Sequence, residues 1–341
     1  MTTQAQAPES TDDTPQERIL SMVQAINEAL DVGMTIDETV FELGEDIQDP
    51  AGGGFKIHKG LSTKFGLERV RPTPISEQAI MGAAVGAAIA GMRPVAEIML
   101  MNFLAVASDQ LINHAAKLRY MSGGQTKVPL VVRTTTGAGG GFGAQHSDML
   151  EAQLTHTPGL KVVVPSTPAD AKGLLLSSIF DDDPVVFVEM FMLYFTQKGH
   201  VPPGDYRVPL GKLRTAREGS DVTLVSWGRQ VHDCIGVAEK LAGDGINAEV
   251  IDLRTLVPLD REGLLNAVAG TKRAVIVHEA VRRGGYGAEL AATISEELFG
   301  ELAGPVRRVG GAETPVPYAR NLEAEYLPHA GRIEQAVRSL F

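Results

Sequence analysis

Five apolar, β-branched runs alternate with helix-patterned segments in the first half of the chain, and that alternation leaves few folds open. The runs are VFELGED, RPVAEIM, VPLVVRT, LKVVVPS and PVVFVEM, most of them bounded by Pro or Gly. Between them, residues 76–92, 103–120, 146–154 and 168–180 carry helical patterning. Strands that are apolar on both faces and joined by helices belong to a parallel sheet covered on both sides. Residues 196–212 then mix Pro, Gly and charge without periodicity, as a connection between domains does. A second, smaller series follows, with strand candidates DVTLVSWG, AEVIDLR, RAVIVHEA and PVRRVGG and helices at 230–241 and 288–298. The expectation is an α/β protein of two domains, each a mainly parallel sheet flanked by helices: 15–195 and 213–341, joined by a linker at 196–212.

The 341 residues are enough for two separate cores. A formal net charge of -11 opposes binding to nucleic acid or to an anionic membrane surface. The lone cysteine, Cys234, allows no intrachain disulfide and suits a reducing compartment. The first 14 residues are polar and acidic, unlike a signal or transit peptide, and read as a disordered lead to a cytoplasmic chain. The apolar stretch IMGAAVGAAIAGM, residues 80–92, is too short to span a bilayer and reads as a helix packed within protein.

Several segments carry chemistry. VPLVVRTTTGAGGGFGAQHSD runs from a strand through a glycine-rich loop and delivers His146 to the carboxyl end of a parallel sheet, where open α/β folds place ligands. Its loose G-x-G-x-x-A pattern is not followed by an acid at the end of the next strand, which disfavours a dinucleotide site; a helix cap is the plain alternative for His146. Glu77 opens a nearly wholly apolar helix, either favouring its N-terminus or, in an apolar surround, hydrogen-bonding a heterocyclic nitrogen. Gly82, Gly86, Ala87 and Ala90 on that helix would let another helix or subunit approach closely. Phe103 follows the strand RPVAEIM, as a core ring or as the flank of a bound one. Asp181, Asp182 and Asp183 are a solvated run or part of a cation site. The GDG at residues 243–245 lacks the spacing of a diphosphate and Mg²⁺ motif and reads as a turn.

In order, LGED, KGLSTKFGLERVRPTPISE, GMRPVAEIMLMNF, DQLINHAAKLRYMSGG, GAQHSD, HTPGLKVVVPSTPADAKGLL, AEVIDLRTLVPLD and GAEL resemble the β subunits of thiamine diphosphate-dependent 2-oxo acid and acetoin dehydrogenases, whose fold is transketolase-like. The resemblance implies a pyrimidine-binding domain, a transketolase C-terminal-like domain, and an active site shared with an α subunit in an α2β2 heterotetramer. That α subunit would hold the diphosphate and Mg²⁺ of thiamine diphosphate. Glu77 would hydrogen-bond the aminopyrimidine and promote its imino tautomer, Phe103 would pack on that ring, and His146 would donate or relay protons during acyl transfer to a lipoyl arm. The resemblance also implies a structural K⁺ held by Leu130, Ser178, Ile179, Asp181 and Asp183, and a docking surface for a lipoyl acyltransferase core on the second domain. His278 reads as structural.

Two departures stand out: Asn102 where many relatives have Asp in E-I-Q-F-x-D-F, and Asp148 where they have Gln in QHSQ. With VPLVVRT, the Met-containing segment before Phe103 leans toward pyruvate or acetoin over branched substrates. The resulting expectation is oxidative decarboxylation of a 2-oxo acid, pyruvate favoured, with reductive acylation of a lipoyl domain. Acetoin cleavage is the nearest rival, followed by half of a split transketolase or a catalytically silent assembly subunit.

Overall fold

In the computed structural model, residues 18–341 are described; the lead expected at 1–14 lies outside them. A seven-stranded sheet dominates the first half. Its spatial order is Thr255–Val257, Lys161–Val163, Val185–Met190, Val131–Thr136, Arg93–Leu100, Val40–Glu45, Val70–Thr73. All neighbours pair in parallel except Thr255–Val257, which runs antiparallel on Lys161–Val163. Val131–Thr136 and Val185–Met190 are buried at every residue, as central strands covered on both faces must be.

The second sheet has five strands in the order Arg307–Gly311, Ala274–Val281, Val222–Ser226, Ala248–Asp252, Arg214–Arg217, parallel but for the last. One apolar core runs from Met22 and Val131 of the first half to Ile251, Leu256 and Leu290 of the second. A smaller core around Val222, Cys234 and Val337 belongs to the second half alone. Both α/β layers are therefore as expected, but they share a core, and the Thr255–Val257 strand completes the first sheet from within the second half.

The connection expected at 196–212 is packed on the first domain: Lys198–His200 pairs antiparallel with Ile19–Ser21, and the Val208 amide donates to the Gly173 carbonyl at 3.1 Å. One helix is shorter than expected and one strand was missed. Residues 146–150 are irregular, and the helix expected at 146–154 is only Glu151–Thr155; the chain ahead of it is held by side-chain bonds instead. Val70–Thr73, an edge strand, was hidden by Pro72 and Pro74, tolerable at a sheet edge because one row of ladder donors is not needed. Elsewhere sequence chemistry explains the boundaries. Ser21 and Gln24 form a reciprocal capping box at the start of Met22–Ile36, and Thr167 caps Pro168–Ile179 with Pro in its first turn.

Candidate active site

Four adjacent strands end side by side, and each leads to a candidate site residue. Across the sheet, Val131–Thr136, Arg93–Leu100, Val40–Glu45 and Val70–Thr73 lead at their carboxyl ends to His146, Phe103, Glu45 and Glu77. The chain leaves Val40–Glu45 toward Val70–Thr73 on one side and returns through Arg93–Leu100 on the other. That reversal opens a crevice where ligands bind in open α/β sheets.

Glu77 is the first residue of the helix Glu77–Ile89, half-buried, and its carboxylate accepts no hydrogen bond among the described residues. The helix dipole favours its negative charge. The apolar shelter expected around it is incomplete in this chain: Ile75 just before it is 81% exposed. Phe103 is also half-buried, and His146 meets its ring edge-on with centroids 5.4 Å apart. A half-buried carboxylate at a helix start and a half-buried aromatic ring at the carboxyl end of the same sheet are the residue types a planar, nitrogen-bearing ring needs, so the residues present fit the pyrimidine half of thiamine diphosphate.

Sequence reasoning did not single out Glu45, and it noted Asn102 and Asp148 only as separate departures, not as a pair. Burial first, then the charges of Glu77, Asp46 and Glu97, raise the proton affinity of Glu45; it lies in the LGED segment that carried the resemblance. Asn102 Nδ2 donates to Asp148 Oδ2 at 2.9 Å and to the Ala144 carbonyl at 3.3 Å, while the Asp148 amide donates to Asn102 Oδ1 at 3.2 Å. An amide on one segment thus meets a carboxylate on the other. The two departures noted in the sequence are one interaction, which ties the Phe103 turn to the His146 loop.

Beneath this crevice lies a row of charges on one sheet face. Arg133 grips Glu189 in bidentate fashion at 2.7 and 2.9 Å and reaches Glu97 at 3.0 Å; His58, from the loop after Val40–Glu45, lies 2.8 Å from the same Glu97 oxygen and bonds Glu42. Tyr194 donates to Glu189 and contacts Thr135 Oγ1 at 2.6 Å. Burial lowers the proton affinity of His58, but Glu97 and Glu42 outweigh it and lift it to about 9. Burial opposes charge on Glu97 as well, yet His58 and Arg133 bring it down to about 2. Arg133 Nη1 and His58 Nε2 are 3.1 Å apart, both donors when the imidazole is charged, and the shared Glu97 oxygen holds them together.

The residues expected to hold a monovalent cation sit at the opposite, amino end of the sheet. Arg93 donates to the carbonyls of Ile179 and Asp181 at 3.2 and 2.9 Å. The Asp181 carboxylate is held by Lys161 at 2.7 Å, and that of Asp183 by Arg119 at 2.5 Å and Lys161 at 3.2 Å. The Leu130 carbonyl accepts the Val185 amide, and the Ser178 carbonyl accepts those of Phe180 and Asp181. These carboxylates already have cationic partners, so they do not fit an added ion. His278 is buried, stacked on Trp227 with centroids 5.5 Å apart, and burial drives its proton affinity down to about 4, which keeps the ring neutral. No described helix is long and apolar enough to cross a membrane.

Comparison with known proteins matches residues 19–195 to the transketolase pyrimidine-binding domain and 211–333 to the transketolase C-terminal domain. The chain is 46% identical to the acetoin:2,6-dichlorophenolindophenol oxidoreductase subunit beta of Cupriavidus necator, over 94% of this chain and 97% of that one. It is 43% identical to the 2-oxoisovalerate dehydrogenase subunit beta of Bacillus subtilis, over 94% and 98%. It is 44% identical to the mitochondrial pyruvate dehydrogenase E1 component subunit beta-2 of Oryza sativa subsp. japonica, over 94% and 85%. A solved split gene transketolase, described as an inactive beta4 tetramer, superposes with a TM-score of 0.74 at 25% identity, covering 94% of this chain and 98% of that one.

Proposed function

Because this chain belongs to the transketolase-like family that includes the β subunits of 2-oxo acid and acetoin dehydrogenases, we propose that it supplies the pyrimidine-ring half of a thiamine diphosphate site completed by an α subunit in an α2β2 assembly. The observation that carries this reading is Glu77: a carboxylate with no hydrogen-bond partner among the described residues, at the carboxyl end of the parallel sheet that also presents the half-buried Phe103. The exposed Ala79, Ala83 and Gly86 of the same helix leave a low-relief face for the α subunit, which would hold the diphosphate and Mg²⁺.

When bound, thiamine diphosphate supplies a carbanion nucleophile and an electron sink. Glu77 accepts a hydrogen bond from the ring nitrogen, and closure by the partner strengthens that bond by removing water. Phe103 fixes the plane of the ring. His146, edge-on to Phe103, holds or delivers a proton where the acyl group leaves for a lipoyl arm. The reaction proposed is oxidative decarboxylation of a 2-oxo acid, pyruvate favoured, in a cytoplasmic complex whose lipoyl acyltransferase core docks on the second domain. Acetoin cleavage is the second reading, favoured by the acetoin-oxidoreductase relatives at 46% and 45% identity. A K⁺ ion belongs to the proposal only through the Leu130 and Ser178 carbonyls.

The test is co-expression with an α subunit and measurement of artificial-acceptor reduction with pyruvate, branched 2-oxo acids and acetoin. Activity should need both chains, thiamine diphosphate and Mg²⁺. Turnover by this chain alone, or unchanged turnover in Glu77→Ala, would overturn the shared-site reading.

A further inference from the structure

We propose that Glu279 and Glu323 of the second domain are positioning residues that clamp the glycine-rich loop carrying His146. The Ala138 amide donates to Glu279 Oε1 at 2.6 Å, and the Gly141 amide donates to both carboxylate oxygens of Glu323 at 3.1 and 3.3 Å. Arg229 completes the grip by donating to the Ala138 carbonyl at 2.9 Å. The Ala138 side chain is wholly buried in a small apolar cluster whose other members, Val316, Tyr326 and Leu327, all come from the second domain.

The loop needs such a grip. Gly137 and Gly139 adopt φ of +116° and +112°, conformations that glycine alone takes readily, so the segment loses more entropy on ordering than an ordinary loop. A side chain at Gly139 would also meet Arg229 and Met192 at 2.9 and 3.0 Å. Glu279 and Glu323 are 2% and 1% exposed, and their described hydrogen bonds are to loop amides, not to a lysine or arginine. Burying a carboxylate is costly, and amide-to-carboxylate bonds worth about 1.5–3 kcal/mol each recover part of that cost only while the loop keeps this shape. The far end of the loop is tied to the Phe103 turn by Asn102 and Asp148, so His146 lies between two fixed points. The second domain thereby reaches the reaction through the loop without touching substrate.

The charged groups around Glu279 give the grip a pH signature. Burial raises Glu279 to about 7; Arg229 opposes the shift, and Asp233 and Glu323 add to it. Glu151, wholly buried and without a hydrogen-bond partner, faces it from the first domain and is itself raised to about 8, with the Glu279 charge contributing. Tyr326 beside them is held in its neutral form by burial and by these carboxylates. Protonating Glu279 weakens the acceptor of the Ala138 amide, so the loop loosens as pH falls through about 7.

This inference rests on the proposed role of His146, and the test separates the two. Hydrogen exchange of residues 137–148 is followed in the assembled α2β2 protein for the wild type, Glu323→Ala, Glu279→Ala and Glu279→Gln, beside lipoyl-domain acylation and artificial-acceptor reduction. Glu323→Ala should raise loop exchange about tenfold, the loss of roughly 1.4 kcal/mol of local protection, and lower lipoyl acylation more than acceptor reduction. Glu279→Gln mimics the protonated acid and should show, at neutral and alkaline pH alike, the faster exchange that the wild type reaches only as pH falls, with no further pH dependence. Glu279→Ala repeats the effect if it folds; Glu323→Ala decides if it does not. Unchanged loop exchange in folded Glu323→Ala overturns the clamp. If His146→Ala leaves lipoyl acylation intact while Glu323→Ala still frees the loop, the clamp stands and the His146 role fails.

Discussion

Two sets of charged side chains, one buried under the sheet and one at its carboxyl rim, behave in opposite ways. Under the sheet's carboxyl end, Glu42, His58, Glu97, Arg133 and Glu189 are nearly sealed from solvent and bonded to one another. At the rim, Glu45 and Glu77 are half-open and have no cationic partner among the described residues. The buried row spends nearly all of its bonding on itself, with Glu42 Oε1 left buried and unpartnered among the described residues, and it ties the strands together. The rim has kept its capacity for something outside the chain. Burial and charge alone would rank the inner row as the functional site; what separates the two is which groups remain unpaired.

The comparison breaks most sharply at Arg133. Arg133→Met should destabilise the chain by about 3–5 kcal/mol, because Glu97 and Glu189 stay buried without their shared partner; chemical denaturation measures it, and a loss under about 1 kcal/mol would reduce the row to ordinary packing. Glu77→Ala should do the reverse, lowering turnover of the assembled enzyme about 100-fold while changing stability by no more than a lost helix-end interaction, ~0.3–1 kcal/mol.

Glu151 sharpens the contrast, being buried with no side-chain partner among the described residues. Its folded-state proton affinity is raised from 4.5 to about 8, so across that window the folded chain holds a proton that the unfolded chain has released. Stability attributable to it is present below pH 4.5 and lost as pH rises through about 8. Melting scans from pH 5 to 9 should therefore show a downward slope that Glu151→Gln flattens, with a gain of about 2 kcal/mol at the alkaline end; parallel slopes in the two proteins would refute it. His58 titrates on the same limb: its contribution is present below 6.5 and disappears as pH rises through about 9. The smallest effect is expected at the tie between rim segments: Asp148→Ala should cost about 1 kcal/mol, read as earlier thermal unfolding, and should raise hydrogen exchange at residues 137–148.

The strands were legible because four of the five first-half runs are nearly continuous in apolar residues, and Glu77, Phe103 and His146 became candidates because their segments resemble a known family. The charged row was not, for a physical reason. Glu42, Glu97, Arg133 and Glu189 each interrupt an apolar strand once, and one interruption looks like a solvent-facing position. Only the pairing of Glu97 with Arg133, and of Thr135 with Glu189, brings them onto one face. The grip on the His146 loop was equally hidden, since its partners lie 141 and 182 residues away in sequence. Edge strands escaped for a different reason: Lys198–His200 and Thr255–Val257 are three residues each, too short to show a period.

The Thr255–Val257 strand has a consequence for how the chain is made. Until residue 257 has left the ribosome, Lys161–Val163 presents a bare row of amides and carbonyls, the template for pairing with another chain. The first half, though it holds six of the seven strands, is therefore a sticky nascent intermediate rather than a finished unit. Expressed alone, residues 1–212 should be captured by chaperones or accumulate in inclusion bodies, and supplying the missing strand in trans should restore their solubility.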